Sequence, residues 1–172
     1  MQFEFSQEFD VPLAGVEQAL MSAELLPLLG RRLASVCSID PRSLELEDGV
    51  LSRVWRFQAR KSLPMLPNRV VSNDMMVWDE HWSYRLADHS ARWFLVPRPE
   101  AKGHPGWRRR FVSTGGYELQ AMDPTRTRLA VAGGLQVDVP LVGRAVERFA
   151  LRELRNIHMA EVETLRALCN RS

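Results

Sequence analysis

Trp78, Glu80, Trp82 and Tyr84 stand at alternate positions, setting a carboxylate between two indoles and near a phenol. On an extended chain, side chains two residues apart leave the same face, so these four and Leu86 would share one. A carboxylate held among rings must be paired, hydrated or protonated. Such a group can orient the polar end of a ligand or exchange a proton with it. Two plainer readings compete: a buried pair with a nearby arginine such as Arg53, or a register that turns Glu80 outward. His158 and Glu153 lie near the apolar stripe of a later helical pattern, and His158 is a second candidate proton carrier.

The remaining candidates are apolar. All five tryptophans, Trp55, Trp78, Trp82, Trp93 and Trp107, fall in the middle of the chain. Trp55 and Phe57 alternate with Leu51, and Trp93 with Leu95. Leu129, Val131, Leu135 and Val137 alternate with Arg128, Ala130, Gln136 and Asp138. An ordinary aromatic core is the plainer explanation. The functional one is a cavity wall, because small-molecule pockets are mainly apolar and aromatic with few polar groups. Phe149 and Ile157 would close such a cavity from the helical side.

Other chemistries find little support. His81, His89, His104 and His158 show no zinc-type spacing, and the pair His158-x-x-Glu161 lacks the second set that a carboxylate-bridged metal site needs. No metal or cofactor is expected. Cys37 and Cys169 have no CxxC context and read as small buried hydrophobes. No nucleophile-elbow or phosphate-loop motif is present. Arg98, Lys102, Arg108, Arg109 and Arg110 gather near Trp107, but alternation along a strand splits the arginine triplet between two faces. Arg144, Arg148, Arg152 and Arg155 form a stripe on the outer side of the helical pattern, read as a solvated face, with a partner or headgroup surface as the alternative. The net charge is only +2, so nucleic acid is disfavoured as a partner, and no pattern names a protein partner.

These residues need elements to position them. The 172 residues, 45% hydrophobic and 26% charged, suit one domain spanning 1–172. The opening MQFEFSQEFD lacks a basic and an apolar leader region, and a cytoplasmic setting is expected. Gln2–Asp10 reads as a strand with Phe3, Phe5 and Phe9 on one face. Pro12 suits the first turn of a helix carrying Leu13, Val16, Ala19 and Leu20. A second short helix covers Ala23–Leu29, broken near Pro27 and ended by Gly30. Asp48-Gly49 predicts a hairpin between strands Ser43–Glu47 and Val50–Arg60. Lys61–Arg69 reads as a loop, since Pro64 and Pro67 deny it regular pairing. Strands follow at Met75–Leu86, Ala91–Val96, Trp107–Met122 and Thr125–Val139, with a turn at Asp123-Pro124. Gly115-Gly116 and Gly133-Gly134 are expected to mark bulges or bends. Val142–Cys169 reads as one long helix, the only element large enough to fill the concave side of a curled sheet.

With the order complete, the chain resembles the START-like superfamily, also called Bet v 1-like, and more narrowly an uncharacterised bacterial branch of it. The resemblance rests on FEFSQEFDVPLAGVEQALMSAELLP, on VWDEHWSYRL and on VDVPLVGRAVERFALRELRNIHMAEVETL. It implies an α+β helix-grip fold: a curled antiparallel sheet of six or seven strands around a long C-terminal helix, with two short helices after the first strand. It also implies a hydrophobic cavity between sheet and helix that takes lipids, sterols, polyketides or similar molecules. The expectation is therefore a non-catalytic module binding an apolar or amphipathic small molecule, lipid-like, for transport or sensing. Its wall would comprise Trp55, Phe57, Trp78, Glu80, Trp82, Tyr84, Trp93, Leu95, Leu129, Val131, Leu135, Phe149 and Ile157. Leu63, Met65 and Leu66, flanked by Lys61 and Arg69, would form the cavity mouth or touch an anionic membrane. One alternative is a polyketide cyclase or aromatase using Glu80, Tyr84 or His158. The other is a protein-interaction module with a filled core.

Overall fold

The computed structural model describes residues 1–60, 63–66, 69–71, 77–98, 110–138 and 143–171, with the backbone course alone for 63–66 and 69–71. Strand β1 (Gln2–Phe9) leads into α1 (Leu13–Leu20) and α2 (Leu25–Arg32). The strands β2 (Val36–Glu47), β3 (Val50–Ala59), β4 (Leu63–Leu66), β5 (Arg69–Val71), β6 (Val77–Arg85), β7 (Ser90–Pro97), β8 (Phe111–Asp123) and β9 (Arg126–Val137) follow, then helix α3 (Gly143–Cys169). Seven strands form one antiparallel sheet in the order β1-β9-β8-β7-β6-β3-β2, with β1 and β2 at its edges. This is the expected α+β helix-grip arrangement.

Period-two alternation decides which side chains face the helix. On β3 the pattern is strict: Leu51, Arg53, Trp55, Phe57 and Ala59 are buried and their neighbours are not. On β1, Phe3 and Phe9 are buried, and Thr127 of β9, opposite Phe9, donates its hydroxyl to the Val11 carbonyl (2.9 Å), anchoring the start of α1. The hairpin between β2 and β3 turns at Asp48 (φ 48°) and Gly49 (φ 76°), the left-handed pair that a two-residue turn requires. Helix α3 packs against α1, α2 and β9, and Glu147 accepts the Val137 N–H at 3.0 Å. Its burial is uneven. Ile157, His158, Ala160, Val162, Thr164, Leu165 and Leu168 are buried in the second half, whereas the first half buries Val146 and Leu154 and leaves Phe149, Ala150 and Leu151 only partly covered.

Four local expectations change. Helix α2 runs through Pro27 and Gly30 to Arg32. Pro27 is its third residue, where a backbone N–H has no intrahelical acceptor to lose, so the ring is tolerated. The paired glycines are not bulges: Gly115 pairs with Gly133, and the β8–β9 ladder is regular there, shifting only between Ala121 and Asp123. A Cβ at Gly115 would overlap the Trp93 ring, and one at Gly133 would overlap Phe3. The glycines are recesses that let two aromatic rings lie across the sheet. The backbone within Lys61–Arg69 is not irregular throughout, since β4 and β5 form a small hairpin with Leu63 opposite Val71. Proline is tolerated in so short an isolated pair. Finally, Cys37 is exposed, at the irregularity between Val36 and Ser38 that turns it out of the alternation.

Candidate functional site

Directly opposed residues in an antiparallel ladder share a face. The register places Arg53 against Trp82, Trp55 against Glu80 and Phe57 against Trp78. It also places Trp82 against Trp93 and Glu80 against Leu95. All of them therefore point toward α3, and Glu80 does lie on the inner face. Trp82 and Tyr84 stack with ring centroids 5.9 Å apart, and Phe57 stacks on Trp78 at 5.4 Å.

The centre of this face is ionic. Arg53 is 3% exposed, and its guanidinium lies between two indoles, 3.6 Å from the Trp55 centroid and 4.1 Å from that of Trp82. Its Nη2 donates to Glu161 Oε1 at 2.8 Å and stands 3.9 Å from Glu80 Oε1. His158 Nδ1 lies 3.8 Å from the second Glu161 oxygen, and its ring is tilted against Phe5 and Trp93. Burial opposes ionisation of Glu161, but His158 and Arg53 outweigh it and hold the carboxyl at about 2. At Glu80, burial opposes the anion by more than Arg53 and His158 favour it. Burial pushes it above the ordinary carboxylate range, the Glu161 charge adds to the rise, and Arg53 opposes it only in part. The result is a balanced unit: one arginine, one firmly ionised carboxylate, and a second carboxyl displaced toward its neutral acid.

Several buried polar atoms lack a hydrogen-bond partner among the described residues: at or near this unit Arg53 Nε, Trp82 Nε1, Trp93 Nε1 and the Tyr117 hydroxyl, and elsewhere the Ser113 hydroxyl and one Glu153 oxygen. Burial first, and then the Glu161 charge, pushes the Tyr117 phenol upward. Tyr117, His158 and Glu161 border a cavity of about 10 Å³, together with Phe5, Leu20 and Val131 among others. That is the space of roughly one water.

Among the candidates from sequence, Leu129 and Val131 border this cavity. Trp55, Phe57, Trp82, Tyr84, Trp93, Leu95, Leu135 and Ile157 are buried in the core that surrounds it. Trp78 is partly buried, and Phe149 is partly exposed under the Arg152 guanidinium, 5.1 Å from its ring. Tyr84 is drawn away from the ionic unit. Its hydroxyl donates to Glu17 on α1 at 2.6 Å, and His89 Nδ1 meets the same oxygen at 2.8 Å. The side chains of Leu63, Met65 and Leu66, and most of the Arg98–Arg110 cluster, lie outside the described residues.

Glu161 and Tyr117 are residues that sequence reasoning did not place in the site, and Arg53 entered it only as a candidate buried partner of Glu80. Each carried a signal. Arg53 stands at period two between Leu51 and Trp55; Glu161 is four residues beyond Ile157 on the helical stripe; Tyr117 alternates with Leu119.

Comparison with known proteins gives the fold wide company and the sequence little. The ZhuI aromatase/cyclase from Streptomyces sp. R1128 superposes with a TM-score of 0.65 at 11% identity, covering 99% of this chain and 94% of that one. A START superfamily protein from Mycobacterium smegmatis gives 0.57 at 13% identity, covering 99% and 97%. Ara h 8.0201 gives 0.55 at 14%, covering 96% and 97%. At such identities these likenesses show the fold, which is START-like and Bet v 1-like. No curated protein matches the sequence. Among the described residues no helix is long and apolar enough to cross a membrane. One family model, described as a protein of unknown function (DUF2505), matches residues 4–168, and the chain belongs to that family.

Proposed function

We propose that the protein binds a hydrophobic or amphipathic small molecule between the sheet and α3, in the cytoplasm, for transport or sensing. The observation that carries this reading is the ionic unit at the centre of the tryptophan-rich face. Burying Arg53, Glu161 and Glu80 costs desolvation free energy that well-packed apolar residues would avoid. A helix-grip core has no structural need of them, and sites where local rules are broken are where function concentrates. The apolar surroundings supply affinity: enclosing ~200 Å² of apolar ligand surface contributes ~5 kcal/mol before ordering costs. The cavity of about 10 Å³ requires α3 or its side chains to yield as the ligand enters, so binding selects a more open conformer.

The test is native mass spectrometry of the purified protein, followed by displacement of a neutral fluorescent naphthylamine by any molecule found. Quenching of the tryptophans by a stoichiometric apolar ligand is expected. A protein that carries nothing and takes up no apolar probe would instead be an interaction module with a filled core, the reading that the small cavity favours. A second reading, acid–base catalysis of the cyclase type, is favoured by Glu80 and His158 both lying beside the Arg53–Glu161 pair. Turnover that Glu80→Gln abolishes, with ligand affinity unchanged, would establish it.

A further inference from the structure

The unpartnered buried atoms are not a random set. Arg53 Nε, Trp82 Nε1 and Trp93 Nε1 can only donate, and the Tyr117 and Ser113 hydroxyls can donate as well as accept. Against them stands one unpartnered acceptor, a Glu153 oxygen. Arg53, Trp82 and Tyr117 are neighbours: the guanidinium lies 4.1 Å from the Trp82 centroid, and the Trp82 and Tyr117 rings are 6.3 Å apart. Trp93 approaches from the other side of His158, with ring centroids 5.7 Å apart. Unpartnered buried donors are costly, and what relieves them is an acceptor.

The charge of that acceptor is also constrained. Arg53 is already bound to Glu161. A carboxylate ligand would set a further anion beside Glu161 in a water-poor site, and an ammonium ligand would face Arg53. Glu80, 3.9 Å from Arg53 and displaced by burial toward its neutral acid, competes less for these donors than Glu161 does.

Resting on the ligand-binding reading above, we infer that the polar end of the ligand is an uncharged hydrogen-bond acceptor, a ketone, ester or ether oxygen seated among Arg53, Trp82 and Tyr117. The protein thereby discriminates against free acids and amines of the same chain length. Arg53 Nε and Trp82 Nε1, which have no geometric hydrogen bond among the described residues, would meet the oxygen, and Tyr117, whose hydroxyl Trp82 approaches, would add its own.

Four probes of equal length test this at pH 7.5 by displacement of the naphthylamine reporter: 2-tridecanone, tridecane, tridecanoic acid and tridecylamine. The ketone is expected to bind roughly tenfold or more tightly than the other three, as one or two extra hydrogen bonds allow. Tyr117→Phe should narrow the gap between ketone and alkane severalfold. Trp82→Phe supplies the same test should Tyr117→Phe fail to fold. Equal binding of alkane and ketone, tighter binding of acid or amine, or a gap untouched by the variants would overturn the inference and leave the pocket standing. Binding of none of the four probes would overturn both.

Discussion

Replacing Arg53 by methionine tests the ionic unit directly. Methionine keeps the apolar stem and removes the guanidinium. Glu161 then loses its 2.8 Å partner, and Trp55 and Trp82 lose the cation between them. Removing one member of a buried pair costs about 3–5 kcal/mol, because the other charge stays behind unpaired. The structure gives an independent scale. Glu161 is held at about 2 against an ordinary value of 4.5, a net displacement worth about 3 kcal/mol to which His158 and Arg53 both contribute. A folded-state value below the unfolded one stabilises above pH 4.5, and that stability is lost as the pH falls from 4.5 toward 2. Glu80 works in the opposite direction, since its elevated value stabilises at low pH and this contribution fades as the pH rises through it. Urea unfolding followed by tryptophan fluorescence at pH 7.5 should show Arg53→Met about 3–5 kcal/mol less stable. Its melting temperature should fall by about 10 °C for a chain of this size. Adding Glu161→Gln should restore much of the loss, with a coupling of about 2 kcal/mol or more. A loss below about 1 kcal/mol in the single variant, or strictly additive losses in the double one, would refute the reasoning.

Three further outcomes are expected. Gly115→Ala should lower stability by about 1–3 kcal/mol, because its methyl meets the Trp93 ring and the Ala132 carbonyl, whereas Gly30→Ala, in open space on α2, should raise it by about 0.5–1 kcal/mol; thermal unfolding of both variants checks the contrast. Glu17→Ala should cost about 1–3 kcal/mol in urea unfolding, because the buried Tyr84 hydroxyl loses its acceptor, and Tyr84→Phe on that background should recover part of the loss. If the Lys61–Arg69 segment contacts anionic membranes, sedimentation with phosphatidylglycerol vesicles should weaken severalfold in a Leu63/Met65/Leu66→Ser variant; undiminished binding rejects that role.

The architecture was legible because each element wrote its period plainly. Phe3, Phe5 and Phe9 marked β1, Asp48-Gly49 marked a hairpin, and the stripe from Val146 to Leu168 marked α3. The bulges read into the double glycines are absent from the ladder for a physical reason. A missing side chain in a strand signals either a bulge or a close neighbour, and only the position of Trp93 and Phe3 across the sheet distinguishes the two. The site was half legible. Glu80 was readable from its strand, as was the choice of Arg53 as its neighbour. Glu161 was not, because its engagement depends on how α3 sits over β3, a contact between residues 108 positions apart. Tyr84 shows the converse. It lies on the correct face, but Glu17 from α1 claims its hydroxyl.

The uneven burial of α3 has a dynamic consequence. Opening free energies follow local packing, so amide protection should rise along the helix from Gly143 toward Leu165. The C-terminal half, clamped by α1 and α2, behaves as a fulcrum. The N-terminal half, with Phe149, Ala150 and Leu151 only partly covered, should behave as a lever, held among the described residues by buried Val146 and by the Glu147 bond to β9. Arg53 grips the helix at Glu161, on the fulcrum side, so the lever can lift without parting the charges. On the proposed ligand-binding reading, an apolar guest would enter along the tryptophan wall while the ionic unit stays assembled to receive it.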